Sequence, residues 1–146
     1  MWLKAGGSAL ALAFVLGCAT TRAGTAGESG VSPANAPPTI ATIAGSYALV
    51  TIDGYALPYA SRALGPSATP AVSGSLSVDS LGTFRLQTAY GTTGDASGPA
   101  SGTCYPDGDE LRMAWDGGGS TGLTVRGDTV LVKRGGAVYG YLRRHA

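Results

Sequence analysis

Glu110-Leu-Arg-Met-Ala-Trp115, Thr121-Gly-Leu-Thr-Val-Arg126, Thr129-Val-Leu-Val-Lys133 and Ala137-Val-Tyr-Gly-Tyr-Leu-Arg143 follow one another with only Asp116-Gly-Gly-Gly119, Gly127-Asp128 and Arg134-Gly-Gly136 between them. Apolar residues alternate with polar ones inside the runs. Leu111, Met113 and Trp115 share one face, and Leu123 and Val125 do so in the next run. A period of two is the mark of a half-buried strand. The turn centres Gly108, Gly118, Gly127 and Gly135 lie eight to ten residues apart, the spacing of an antiparallel meander.

The same grammar extends towards the N-terminus. Ser101-Gly-Thr-Cys-Tyr105 is a short strand that Pro106-Asp107-Gly108 turns, and 91–99 reads as a flexible loop. Thr83 to Thr88 puts Phe84, Leu86 and Thr88 on one side and Arg85 and Gln87 on the other. Ser73 to Asp79 alternates with Leu76 and Val78 on one face, and Ser80-Leu81-Gly82 turns it. Residues 59–71 form a loop with one helical turn near Ser61–Leu64. Gly45 to Ile52 is a strand that ends on Asp53-Gly54, a two-residue hairpin signal, and Tyr55-Ala-Leu-Pro58 is a short return strand. Tyr139 and Tyr141 read as outward residues, forming a contact patch or covering the sheet. No segment has a sustained helical period. The prediction is an all-β chain, an antiparallel up-and-down meander of about eight short strands. Curling the sheet closed covers its apolar face and removes its edges.

Four blocks carry a resemblance. They are Gly-Ser-Tyr-x-Leu-Val-x-Ile-Asp-Gly-x-x-Leu-Pro (45–58), Gly-x-Leu-x-Val-Asp-x-x-Gly-x-Phe (74–84), Gly-Thr-Cys-Tyr (102–105) and Val-Tyr-Gly-Tyr-Leu-Arg (138–143). Together they resemble small lipocalin-like bacterial envelope domains over residues 43–144. The resemblance implies a calycin-type barrel of about eight strands. Gly45-Ser46-Tyr47 occupies the place of the Gly-x-Trp of classical lipocalins.

The N-terminus resembles a bacterial lipoprotein signal peptide (1–17). Lys4 supplies the charge, Ala9 to Leu16 the apolar core, and Val15-Leu16-Gly17-Cys18 a lipobox. The apolar run is too short to span a bilayer, which takes about 20 residues, and a charged start with a small-residue exit reads as a cleaved export signal. The resemblance implies acylation of Cys18 and cleavage before it, with Ala19 in the next position favouring the periplasmic face of the outer membrane. Residues 18–42, small and polar with Pro33, Pro37 and Pro38, then read as a lipidated flexible linker.

Composition excludes several functions. The formal net charge is +1, only 13% of residues are charged, and no basic stripe suits nucleic acid. His145, the one histidine, lies a residue from the end, where chains fray, so it is a poor catalytic base. Asp107, Asp109, Glu110 and Asp116 sit around turns, where their side chains suit turn chemistry, and they lack calcium-loop spacing. Gly117-Gly118-Gly119 has no following Lys-Ser/Thr and is no phosphate loop. With Cys18 acylated, Cys104 has no intrachain partner and reads as a small buried hydrophobe; a soft-metal site would need Met113 and His145 beside it. Neither a cofactor nor an enzyme activity is expected.

The apolar stripe of Leu76, Val78, Phe84, Leu86, Leu111, Met113, Trp115, Leu123 and Val125 has two readings. It is a filled core, or it lines a small apolar cavity for one ligand, since eight strands leave room for either. The candidate lining is Phe84, Leu86, Leu111, Met113, Trp115, Leu123 and Val125. The expectation is a membrane-anchored, non-enzymatic envelope lipoprotein that binds a small apolar ligand in its barrel. The alternative is a protein-interaction module that uses loops 59–72 and 91–100, its partner unspecified.

Overall fold

The computed structural model describes residues 36–146. The expected signal peptide, Cys18 and the linker up to residue 35 lie outside the described residues. From residue 36 on, the chain forms a closed antiparallel barrel of eight strands. These are β1 (Gly45–Ile52), β3 (Ala71–Val78), β4 (Thr83–Tyr90), β6 (Ala100–Asp107), β7 (Glu110–Trp115), β8 (Ser120–Arg126), β9 (Thr129–Arg134) and β10 (Ala137–Arg143). Each pairs with its neighbour in order, and β10 returns to pair with β1. Two short strands, β2 (Tyr55–Ala56) and β5 (Asp95–Ala96), attach to β1 and β4. Closure satisfies the edge groups that an open meander would leave bare.

The turns form where Asp and Gly permit positive φ. Asp53 and Gly54, at φ 53° and 82°, make a two-residue turn with the twist that a hairpin needs. At the β3–β4 turn the Asp79 carboxylate accepts from the Leu81 and Thr83 amides at 2.9 and 2.8 Å, and Gly82 takes φ 89°. A Cβ on Gly82 would lie 2.6 Å from the Cys104 carbonyl oxygen, so only glycine lets this turn fold onto β6.

Several local expectations change. Ile40–Ile43, expected within the linker except for Ile43, is a helical turn (α1) that buries Ile43. The stretch 91–99 is not all loop, because Asp95 and Ala96 pair with Tyr90 and Ala89. β6 runs through Pro106, which is paired with Leu111. The Cys104 amide points away from β7, to the Gly82 carbonyl at 2.7 Å. Pro106, two residues on, turns its nitrogen the same way, and β4 pairs no further along β6 than Thr103. The proline therefore removes no ladder bond. The helical turn expected near Ser61–Leu64 is a 3₁₀ turn at Arg62–Leu64, with the Ser61 hydroxyl accepting from the Ala63 amide at 3.2 Å.

Tyr139 and Tyr141, expected to face outward, are buried at 4% and 0% exposure. Both faces of β10 are apolar in sequence, so alternation alone does not fix its parity. Pairing of Tyr139 with Ile52 and Val132 turns Ala137, Tyr139 and Tyr141 inward, and Leu142 is exposed.

The two ends of the barrel differ. At the Tyr47 end, α1 packs against the barrel and Ile43 is fully buried. The Tyr47 hydroxyl donates to the Ile43 carbonyl at 2.7 Å. Arg143 donates to the carbonyls of Ala44 (2.8 Å) and Thr42 (2.6 Å) and to the Tyr47 hydroxyl (2.7 Å). The opposite end collects the rims of the strands at Ile52, Ala71, Tyr90, Ala100, Trp115 and Arg134. The segment from the cis Leu57–Pro58 bond to Pro70 borders it. Asp53 fixes this border: its carboxylate accepts from the Val138 amide at 2.8 Å and from the Ser61 hydroxyl.

Candidate ligand site at the Trp115 end

Of the expected lining, Phe84, Leu86, Leu111, Met113 and Leu123 come together as packed core, each at most 4% exposed. Leu111 faces Leu123 across β7–β8, and Met113 faces Cys104 across β6–β7. Trp115 and Val125 are partly buried and pack against this core. These residues fill the interior of the barrel with apolar side chains. Trp115 differs by standing at a rim, where it also borders a surface cleft.

Gly102 makes room for it. Gly102 lies between Phe84 on β4 and Trp115 on β7 in the strand register. A Cβ there would collide with the Ala114 carbonyl oxygen and come within 2.9 Å of the Phe84 ring. Over the missing side chain, Phe84 and Trp115 meet edge to face, with ring centres 5.0 Å apart and planes at 88°. That geometry suits the ring quadrupoles. The Arg134 guanidinium carbon sits 5.4 Å from the Trp115 ring centre, a cation–π distance.

Sequence reading assigned Arg134 to a turn. The signal that places it at the rim was present: Val130 and Val132 point inward, and the same parity carried two residues further aims Arg134 to the inner side. The same rule applied to Phe84, Leu86 and Thr88 aims Tyr90 inward at the same end.

Beneath the rim the interior becomes polar. Burial drives the Tyr139 hydroxyl up to about 12, with the neighbouring Tyr90 hydroxyl adding to the shift and Arg134 opposing it. Burial raises Tyr141 further, opposed by the adjacent Thr88 and by Arg134. The Thr88 and Tyr141 hydroxyls are fully buried beside each other without completing a hydrogen bond. A set of neutral hydroxyls thus underlies one cation.

The cleft at this rim has a volume of about 440 Å³ and is bordered by Pro99, Ala100, Trp115, Asp116, Gly118 and Arg134, among others. A cleft of similar size, about 380 Å³, lies on the outside of β3–β4 among serines and Gln87 and has no aromatic wall. The rim cleft is the better candidate because it combines an aromatic surface with placed polar groups, as small-molecule sites do.

The other candidate groups are dispersed. Cys104 is 2% exposed, and burial pushes its thiol to about 11, which keeps it protonated at neutral pH. Met113 stands across the strand pair from it, but His145 does not: that ring lies 3.3 Å from Asp128 in an exposed pair beyond the end of β10. Among the described residues no three His, Cys, Asp or Glu side chains gather as metal ligands. No protein-family model, curated protein or solved structure matches the chain.

Proposed function

We propose that this protein is a non-enzymatic bacterial envelope lipoprotein, anchored by lipid at Cys18, whose lipocalin-like barrel holds a small molecule at its Trp115 end. The membrane part of the reading rests on the lipobox Val15-Leu16-Gly17-Cys18. The binding part rests on one observation. The Tyr47 end is sewn shut by α1 and Arg143, whereas the opposite rim carries Trp115 and Arg134 beside a cleft of about 440 Å³. The buried stripe supports a filled core rather than a deep cavity, so binding belongs at the rim and the ligand meets the apolar interior only through Trp115.

A second reading has its own support. Tyr55 on β2 is 61% exposed and stacks on Tyr59 at 4.8 Å, and Leu64 is exposed in the bordering segment that follows. An exposed aromatic and aliphatic surface of this kind suits a protein partner.

The test is expression of the full chain and of Cys18→Ser in a diderm bacterium, followed by fatty-acid labelling and native mass spectrometry of the detergent-extracted protein. Acyl incorporation that Cys18→Ser abolishes, with a small-molecule adduct lost in Trp115→Ala, is the expected result. An unacylated chain in the soluble fraction refutes the anchor. A bare mass with a co-purifying protein favours the partner reading.

A further inference from the structure

Two opposite charges share the Trp115 cleft without pairing. Arg134 and Asp116 both border it. The ion pairs among the described residues are Arg112–Asp107 and His145–Asp128, so Arg134 and Asp116 stand more than a salt-bridge distance apart. Each is held by something else. Arg134 lies over the indole of Trp115. Asp116 is gripped twice by Ser101, whose hydroxyl donates to the carboxylate at 2.6 Å and whose carbonyl accepts the Asp116 amide at 2.9 Å. The turn that carries Asp116 is itself closed, with Trp115 donating to the Gly119 carbonyl and Gly118 to that of Trp115 at 3.0 and 2.9 Å.

Charges fixed on strand ends and a closed turn present a preformed pattern to a ligand. A simple anion in this cleft gains Arg134 but meets the Asp116 carboxylate, and a simple cation meets the reverse. A molecule carrying an ammonium and a carboxylate on one carbon meets neither penalty. Guanidinium suits a carboxylate, to which its forked N–H groups donate in pairs, and Asp116 keeps a carboxylate oxygen to accept from an ammonium. The volume accommodates a molecule of amino-acid size.

We propose that the cleft binds a small zwitterion of the α-amino-acid type, its carboxylate on Arg134 and its ammonium at Asp116. The proposal rests on the reading of this rim as a small-molecule site and adds the charge pattern of the ligand.

The test uses the full chain carrying Trp2→Phe, so that Trp115 is its single indole. Indole fluorescence is titrated with L-phenylalanine, 3-phenylpropionate, which lacks the ammonium, and phenethylamine, which lacks the carboxylate. The expected result is a saturable change with L-phenylalanine at a concentration at least tenfold below that needed by either analogue. In Arg134→Gln the advantage over phenethylamine disappears, and in Asp116→Asn the advantage over 3-phenylpropionate disappears. If 3-phenylpropionate or phenethylamine binds as tightly as L-phenylalanine to the Trp2→Phe protein, the zwitterion proposal fails while the small-molecule site stands. If none of the three changes the fluorescence, the zwitterion proposal fails, and the rim-binding reading fails as well only if the full chain also carries no small-molecule adduct that Trp115→Ala removes. The ligand comparison needs neither charge variant, so misfolding of one leaves the test decisive.

Discussion

The Arg143 guanidinium on the last strand lies 4.9 Å from the ring centre of Tyr47 on the first and donates to that ring's hydroxyl at 2.7 Å. The same side chain holds the Ala44 and Thr42 carbonyls, so one cation joins the first strand, the last strand and the helical turn that caps them. Charge-assisted hydrogen bonds of this kind contribute about 1.5–3 kcal/mol each at most, and they are not additive. Arg143→Ala is expected to lower stability by about 3 kcal/mol, read as a fall in the urea midpoint at constant slope. Arg143→Lys keeps the charge but loses the fork that reaches three acceptors, and recovers less than half of the loss. An unchanged midpoint in either variant refutes the role assigned to this residue.

Asp53 is predicted to matter beyond its turn. Alanine at φ 53° is strained and leaves the Val138 amide and the Ser61 hydroxyl without their acceptor. Asp53→Ala should cost about 2–4 kcal/mol. Asp53→Asn, which tolerates the left-handed backbone and keeps one acceptor, should cost about 1 kcal/mol. Because both side chains share one bond, the loss in Asp53→Ala/Ser61→Ala should fall short of the two single losses combined. Thermal or urea melts of the four proteins provide the check.

Alkaline pH should loosen the barrel. Burial raises the Cys104 thiol from 9.0 to about 11 and, as the largest cause, the Tyr139 hydroxyl from 10.0 to about 12. Both values are higher folded than unfolded, so the unfolded chain releases these protons first as pH rises. The stabilisation is complete below about pH 9 and is lost progressively between pH 9 and 12. Urea midpoints measured across that interval should fall, and Cys104→Ala should remove the part of the decline that begins nearest pH 9. The native thiol should react with a disulfide reagent only at the rate of local opening. Rapid modification of the folded protein at neutral pH runs against this burial.

Gly102 and Gly122 offer a matched contrast. A methyl group on Gly102 strikes the Ala114 carbonyl and the Phe84 ring, whereas one on Gly122 meets nothing within 4 Å. Gly102→Ala is expected to cost about 1–3 kcal/mol through overpacking, and to shift Trp115 emission as the edge-to-face pair parts. Gly122→Ala should be neutral or stabilising by a few tenths of a kcal/mol, as in other strained-free replacements of glycine. Equal effects at the two positions would contradict the packing described for the rim.

The eight barrel strands and their meander order were legible because Asp-Gly and Gly-Gly turns punctuate strict alternations such as Leu111, Met113 and Trp115, whereas the short β5 inside 91–99 was not. Where alternation was weak, the reading failed. Val138, Gly140 and Leu142 compete with Tyr139 and Tyr141 for the inner face, and the choice belongs to cross-strand partners such as Ile52, which is 87 positions away in sequence from Tyr139. Pro106 looked like a strand end because the free side of β6 is a tertiary fact. The rim was half legible: Trp115 lay on the apolar stripe, but Arg134 was concealed by its glycine neighbours. No local pattern announced that Asp53 reaches Val138 or that Arg143 reaches Thr42, since each bond joins residues distant along the chain.

The pairing of β1 with β10 has a kinetic consequence. Tyr47 and Arg143 are 96 positions apart, and the cylinder exists only once both are present. Closing so large a loop before its contacts form is slow. A ribosome-bound or partly delivered chain that ends before β10 therefore has a curled ribbon with two bare margins and no latch. Completion is deferred until β10 has been made, because β1 has no partner on that side before then.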